Sequence, residues 1–282
     1  MNRKIGVVDV GGGYRGVYAA GVLDYCMHKG IRFDLGIGVR AGSSNLASYC
    51  AGQPLRNHKF YTEYGLRKEC RNFISFHRNR SNSQLEYIYG TLTNSDGEYP
   101  LHYEAMMDNP MEFVTVITEA NSGEALYIPK SDLRKDQYTP FMASSATPVV
   151  CRPVMIDGTP YYDGTLSDPI PIQLAFNLGC EKVVLILAQP VNTVRTEKWD
   201  NRFARHIAKE FPYAAKALQN RARKYKESIA LAQQYITEGR LLIIVPDHRY
   251  GVHTLCQNAD SMNRLYEKGY VDAAKITPFL LS

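Results

Sequence analysis

Apolar residues gather in short continuous blocks at 4–10, 33–38, 113–119, 182–188 and 241–245. Blocks of that length and continuity are expected of strands covered on both faces of a parallel sheet. The block at 182–188, KVVLILA, is the plainest of them. Between the blocks the spacing changes to three or four. Val17, Ala20, Val22, Leu23 and Met27 give residues 15–29 an apolar side, and Gly30 ends it. Residues 41–50 read as a second helix. Strand, helix, strand, helix in that order predicts parallel βαβ units. The block 113–119 is followed by Asn121-Ser122-Gly123 and a short strand at 125–128, a hairpin signal. Residues 131–145 are expected to be helical in their first half, and 148–162 extended with a turn at Asp157-Gly158. Pro171 opens a helix over 172–178. A stripe of Phe203, Ile207, Phe211, Leu218, Tyr225, Ile229 and Ile236 makes 200–238 an amphipathic helix, kinked or broken at Phe211 by Pro212. A last helix follows at 260–275. Residues 53–107 are rich in Tyr, Arg, Asn and Ser and weakly periodic; they read as a mostly helical cap or lid inserted over the strand ends. The expectation is one domain over 1–282: a three-layer α/β/α sandwich with a mostly parallel central sheet, a cap at 53–107, and a C-terminal helical extension with the last strand at 200–282.

The turns after the first two strands carry the candidate chemistry. Residues 7–16 read VVDVGGGYRG and residues 38–42 read GVRAG. Glycine turns at strand ends point backbone N–H groups at one spot, which suits either a phosphate cradle or an oxyanion hole. Gly11, Gly13 and Gly16 match G-x-G-x-x-G, so a dinucleotide site competes. The acid such a site needs, Asp34, stands at the start of the second strand instead of its end. No Walker lysine follows the glycines. The second turn matches the G-x-S-x-G elbow of serine hydrolases at four of five positions, with Arg40 in the middle. Asp163-Gly164-Thr165 follows a strand further along.

Taken together, GGGYRG, the elbow-like GVRAG, ASSATPVV at 143–150 and the late Asp-Gly resemble the patatin-like phospholipase family. The C-terminal stretches EGRLLIIVP and RLYEKGYVDA are similar to a bacterial branch of it. The resemblance spans nearly all of the chain and is weakest in the cap. It implies a Ser–Asp dyad that needs no histidine and no cofactor: the elbow serine attacks an acyl ester or phospholipid carbonyl, the aspartate activates it, and the glycine loop stabilises the oxyanion. Carried over by position, Gly11, Gly12 and Gly13 form the oxyanion hole, with Arg15 and Gly16 completing that motif. Gly38, Ala41 and Gly42 shape the elbow, Asp163 is the dyad base, and Gly164 and Thr165 follow it. Arg40 takes the nucleophile position. A guanidinium stays protonated and is no nucleophile, and its expected partner is Asp163. Three explanations stay open: an inactivated hydrolase, a natural lipid- or anion-binding pseudoenzyme, or a nucleophile displaced to Ser43 or Ser44, whose hydroxyls in the first helical turn suit capping better.

Composition adds bounds. The six cysteines show no CxxC pair and read as buried free thiols of a reducing compartment. The seven histidines lack metal-ligand spacing, so no metal is expected. No apolar run approaches a membrane span, and 1–10 has no signal-peptide core, so the expected location is cytoplasmic, with peripheral membrane contact as a further option. Eight Lys or Arg between 202 and 226 face one acid, Glu210, an excess larger than the net +5 of the whole chain. That run reads either as a solvated helix face or as a contact with anionic phospholipid head groups. No nucleic-acid motif accompanies it, and no nucleic-acid partner is expected.

Overall fold

The computed structural model describes residues 3–71, 82–191, 197–254 and 258–282. The apolar blocks become a mixed eight-stranded sheet. Its strands are β1 (Ile5–Asp9), β2 (Leu35–Val39), β3 (Glu112–Glu119), β4 (Ala125–Pro129), β5 (Val154–Ile156), β6 (Thr159–Asp163), β7 (Lys182–Ile186) and β8 (Leu241–Ile244). Hydrogen-bonded neighbours follow the order β5-β6-β3-β2-β1-β7-β8, with β4 also on β3. β3, β2, β1, β7 and β8 run parallel; the β4 and β5–β6 pairings are antiparallel. Alternation along β1 sends Val7 and Val8 into separate cores on the two faces. Helices Val17–His28, Ala41–Cys50 and Ala259–Asp272 cover the first face; Ile172–Asn177 and the later turns of Pro212–Thr237 cover the second. This is the expected α/β/α layering.

One detail of register places the site. Residues 114–116 of β3 pair with both β2 and β4, so those two lie on opposite edges. Residues 117–118 pair with both β4 and β6. β2 and β6 therefore share one edge of β3 and approach each other end to end. Val39 stands opposite Val116, and Asp163 opposite Ile117. The residue leaving β2 and the last residue of β6 must meet.

Several boundaries differ from expectation. Residues 131–145 are helical in the second half, at Thr139–Ser145, not the first. Pro140 sits in that helix's first turn, where its missing N–H is harmless and its fixed φ favours initiation. Residues 200–238 form two helices, Glu197–Ile207 and Pro212–Thr237, separated where Pro212 denies the first helix its hydrogen bond. A short helix, Ile276–Leu281, follows the last long one. Within 53–107 lie helices Arg56–Thr62, Lys68–Arg71, Ser83–Glu86 and Tyr103–Asp108 and a wide turn at Tyr87–Leu92; 72–81 fall outside the described residues. This segment packs beside Ala41–Cys50 through buried polar contacts: Ser48 donates to Asn57, and Arg56 donates to Ser48, Thr93 and the Tyr99 carbonyl. Burial lowers the Arg56 guanidinium to about 10. Cys26, Cys50, Cys70, Cys151 and Cys180 are buried free thiols; Cys256 lies outside the described residues.

Candidate active site

Asp9 closes β1 with a fully buried carboxylate, which accepts the Gly11 N–H at 2.9 Å and the Asn45 amide at 3.0 Å. Burial pushes this carboxyl up to about 6, against the pull of both hydrogen bonds. Asn45 also donates to the Gly16 carbonyl and accepts from Tyr61. The glycine loop is thereby tied to helix Ala41–Cys50 from behind. Gly11, Gly12 and Gly13 all have positive φ, at 63°, 150° and 61°. A Cβ on Gly11 would stand 2.5 Å from the Val39 carbonyl, and one on Gly42 would stand 2.1 Å from that of Asp9. The two turns interlock backbone to backbone, which is why both need glycine.

Arg40 occupies the elbow with φ 58° and ψ −129°, a backbone conformation rarely held by a residue with a side chain. Ser144 holds it there: the Arg40 N–H donates to Ser144 Oγ at 2.8 Å, and Ser144 donates to the Val116 carbonyl at 2.7 Å. Asp163 is clamped similarly, its N–H on the Ala146 carbonyl and its own carbonyl accepting from Thr118. The two side chains meet as the register requires. Arg40 Nε lies 3.0 Å from Asp163 Oδ2. Thr147 bridges them, accepting from Arg40 Nη2 at 3.1 Å and donating to Asp163 Oδ2 at 3.1 Å. The Thr165 N–H donates to Asp163 Oδ1 at 2.8 Å. Asp163 is fully buried, and the Arg40 side chain is 20% exposed.

Arg15 bends back onto the Gly12 carbonyl and donates to Gln189 at the end of the sheet. Arg221, from the long C-terminal helix, pairs with Asp200 and reaches Thr165 Oγ1 at 3.3 Å. The carbonyl of Thr254 accepts the Tyr14 N–H and lies where a Cβ on Gly13 would be. Among the described residues the N–H groups of Gly12 and Gly13 have no partner, whereas that of Gly11 is committed to Asp9. Gly12, Arg15, Arg40, Thr165 and Gln189 enclose a cavity of about 20 Å³, the room of one water.

The structure thus brings together Gly11, Gly12, Gly13, Arg15, Gly38, Arg40, Ala41, Gly42, Asp163, Gly164 and Thr165, while Gly16 sits one turn behind, against Tyr61. Ser43 contacts Ser144 and Ser44 donates to the Ala41 carbonyl; neither hydroxyl bonds Asp163. Ser144 and Thr147 lie within the stretch 143–150, but their roles as elbow holder and bridge arise from tertiary pairing, which no local pattern reveals. Asp9, Gln189 and Arg221 carried no signal beyond their neighbourhoods.

A family model described as patatin-like phospholipase matches residues 10–176, and a second, described as a domain of unknown function (DUF6363), matches 211–281. The protein YjjU of Escherichia coli strain K12, itself uncharacterised, is 28% identical over 257 residues, covering 85% of this chain and 67% of its own. Among solved structures, VipD from Legionella pneumophila aligns with a TM-score of 0.50 at 12% identity, over 97% of this chain and 66% of VipD. That likeness concerns the fold alone, and this chain spans about two thirds of VipD's length. With the first family model covering more than half of the sequence, the chain belongs to the patatin-like phospholipase family.

Proposed function

We propose that this chain is the scaffold of a lipid acyl-ester hydrolase whose nucleophile position is filled by Arg40, so that it hydrolyses no ester as it stands. The observation that carries this reading is the 3.0 Å contact between Arg40 Nε and Asp163 Oδ2. In a serine–aspartate dyad that carboxylate would accept the nucleophile's proton. Here it accepts from a guanidinium, which has no lone pair to attack with. Gly12 and Gly13 supply the oxyanion donors in this reading; Gly11 braces the loop through Asp9. The segment 53–107 acts as the cap, and the substrate is an acyl ester or phospholipid.

Arg40→Ser tests it. A serine on the same strained backbone, still held by Ser144, presents its hydroxyl toward Asp163 and empties the space for an acyl group. Short-chain nitrophenyl esters should be hydrolysed by the variant and not by the unaltered protein, and Asp163→Asn in the variant should remove the activity again. A folded Arg40→Ser protein without turnover would overturn the hydrolase reading. It would favour the second one, a lipid- or anion-binding pseudoenzyme. That reading has its own support: Thr147 and Asp163 receive Arg40 in a closed hydrogen-bonded triangle, so the fold accommodates the arginine fully.

A further inference from the structure

Helix Glu197–Ile207 turns Asp200, Ala204 and Ile207 inward. Asp200 is paired with Arg221, whose other arm reaches Thr165 beside Asp163. The helix therefore lies at the rim of the candidate site. Its outward face carries Lys198, Arg202 and Arg205, and Lys209 continues it; all four are exposed. Among the described residues none of these four takes part in an ion pair. Arg221 and Lys224 of the same basic run are turned inward, on Asp200 and the Ser167 carbonyl, and Arg223 is paired with Glu227. Lys216 and Lys226, on the next helix, are exposed and likewise outside the ion pairs, so the unpaired charge runs from this helix and the turn after it onto Pro212–Thr237, with Glu197 and Glu210 the exposed acids at the two ends of the first stretch.

On the flank of that face stands Trp199, the only tryptophan in the sequence, 57% exposed. The Arg202 guanidinium lies 5.5 Å from its ring centroid, and Phe203 packs 5.9 Å away. Tyr213, at the start of the next helix, is 62% exposed. Large exposed aromatics among unpaired cations are disfavoured on a surface that meets only water. They suit the head-group layer of an anionic bilayer, where the ring enters the acyl boundary and the cations meet lipid phosphates. We propose that this face of Glu197–Ile207 docks the protein on an anionic phospholipid surface, with Trp199 inserted and the site rim set against the lipid. The choice of phospholipid over another polyanion rests on the lipid-directed reading of the site; the docking itself requires no turnover.

The test uses the unaltered, Arg40-containing protein with phosphatidylcholine vesicles lacking or containing phosphatidylglycerol. The protein should co-sediment with the anionic vesicles only, with a blue shift of Trp199 emission and quenching by brominated lipid, and should be released by salt. Near an anionic surface each basic residue is worth a factor of about five, so Arg202→Gln/Arg205→Gln/Lys209→Gln should weaken partitioning roughly a hundredfold. A charge-keeping Arg202→Lys/Arg205→Lys variant should retain binding, which separates charge loss from misfolding. Equal binding to neutral vesicles, binding unaffected by the triple change, or an unshifted Trp199 would overturn the proposal. So would a Trp199 shift that tracks protein concentration without lipid, which would make a second copy the occupant, or tight binding to nucleic acid but not to anionic vesicles. Because no step is catalytic, an inert Arg40→Ser protein leaves this result standing and a vesicle failure leaves the esterase result standing.

Discussion

The stability of the Arg40–Asp163 pair can be worked from its surroundings. At the observed 3.0 Å separation two unit charges attract by about 5.5 kcal/mol at an effective dielectric near 20. Burying both takes back several kcal/mol, so the net coupling should be about 1–3 kcal/mol. Asp163 does not become an orphan when Arg40 is removed. It keeps the Thr165 N–H and the Thr147 hydroxyl, and the vacated volume opens to water. Arg40→Ser should therefore cost about 1–2 kcal/mol, less than the roughly 3–5 kcal/mol typical of a broken buried pair. For a chain of 282 residues that is a fall of about 2–4 °C in Tm. Asp163→Asn should cost a similar amount, because the guanidinium is 20% exposed and retains Thr147. The assay is urea denaturation of both single variants and the double variant, which returns the coupling directly. A coupling below about 0.3 kcal/mol would refute the pair as an energetic unit, and a loss above about 5 kcal/mol in Arg40→Ser would refute the claim that Asp163 stays satisfied.

Three further outcomes follow from the same contacts. Asp9 has its carboxyl raised to about 6 against an unfolded value of 3.8, so the folded state binds the extra proton; that stabilisation is complete below about 3.8 and is lost as pH rises to about 6, by roughly 3 kcal/mol at most, and Asp9→Asn should flatten this part of the stability–pH curve relative to the parent. Ser144→Ala leaves the buried Arg40 N–H and Val116 carbonyl without their bridge and should cost about 2–3 kcal/mol by denaturation; in the Arg40→Ser background it should lower kcat more than it raises KM, since it frees the elbow instead of the substrate pocket. Tyr18→Phe removes a 2.8 Å hydrogen bond to Asp272, which Lys268 and Lys275 also hold, so the loss should be about 1 kcal/mol, read as a Tm fall of about 2 °C.

What the sequence made legible, it did so through steric necessity. The glycines at 11, 38, 42 and 164 stand where another backbone passes within a Cβ's reach, and only such turns bring two strand ends together that closely. The continuous apolar blocks marked the buried strands because both faces of the sheet are covered. Arg40 could be assigned to the elbow because its neighbours on both sides keep the elbow pattern. What stayed hidden depends on tertiary pairing. Nothing local shows that β6 arrives antiparallel on the edge of β3 that β2 has just vacated, and this alone turns Ser144 and Thr147 into partners of Arg40. The half-misplaced helix in 131–145 shows periodicity yielding to proline, whose fixed φ chose the start of the helix. Arg221 meets Thr165 from 56 residues away, a distance across which spacing carries no information.

The segment matched as a domain of unknown function is bound into the site's walls at several separate points. Thr254 receives the Tyr14 N–H just after the glycine loop, and Arg221 holds Thr165, whose own N–H anchors Asp163. Helix Ala259–Asp272 crosses Val17–His28 so closely that a Cβ on Gly21 would lie 2.1 Å from the Tyr266 carbonyl, and one on Gly269 the same distance from that of Tyr18. Tyr18 bonds Asp272 and Tyr266 bonds Asp24 across the same contact. Helix Val17–His28 is the continuation of the glycine loop, so whatever fixes its position fixes the direction of the Gly12 and Gly13 N–H groups. The C-terminal segment thus braces the glycine loop mechanically, through a rigid helix, and reaches Asp163 through the hydrogen bonds of Thr165. Both influences reach the site without any of the segment's side chains standing between Arg40 and Asp163.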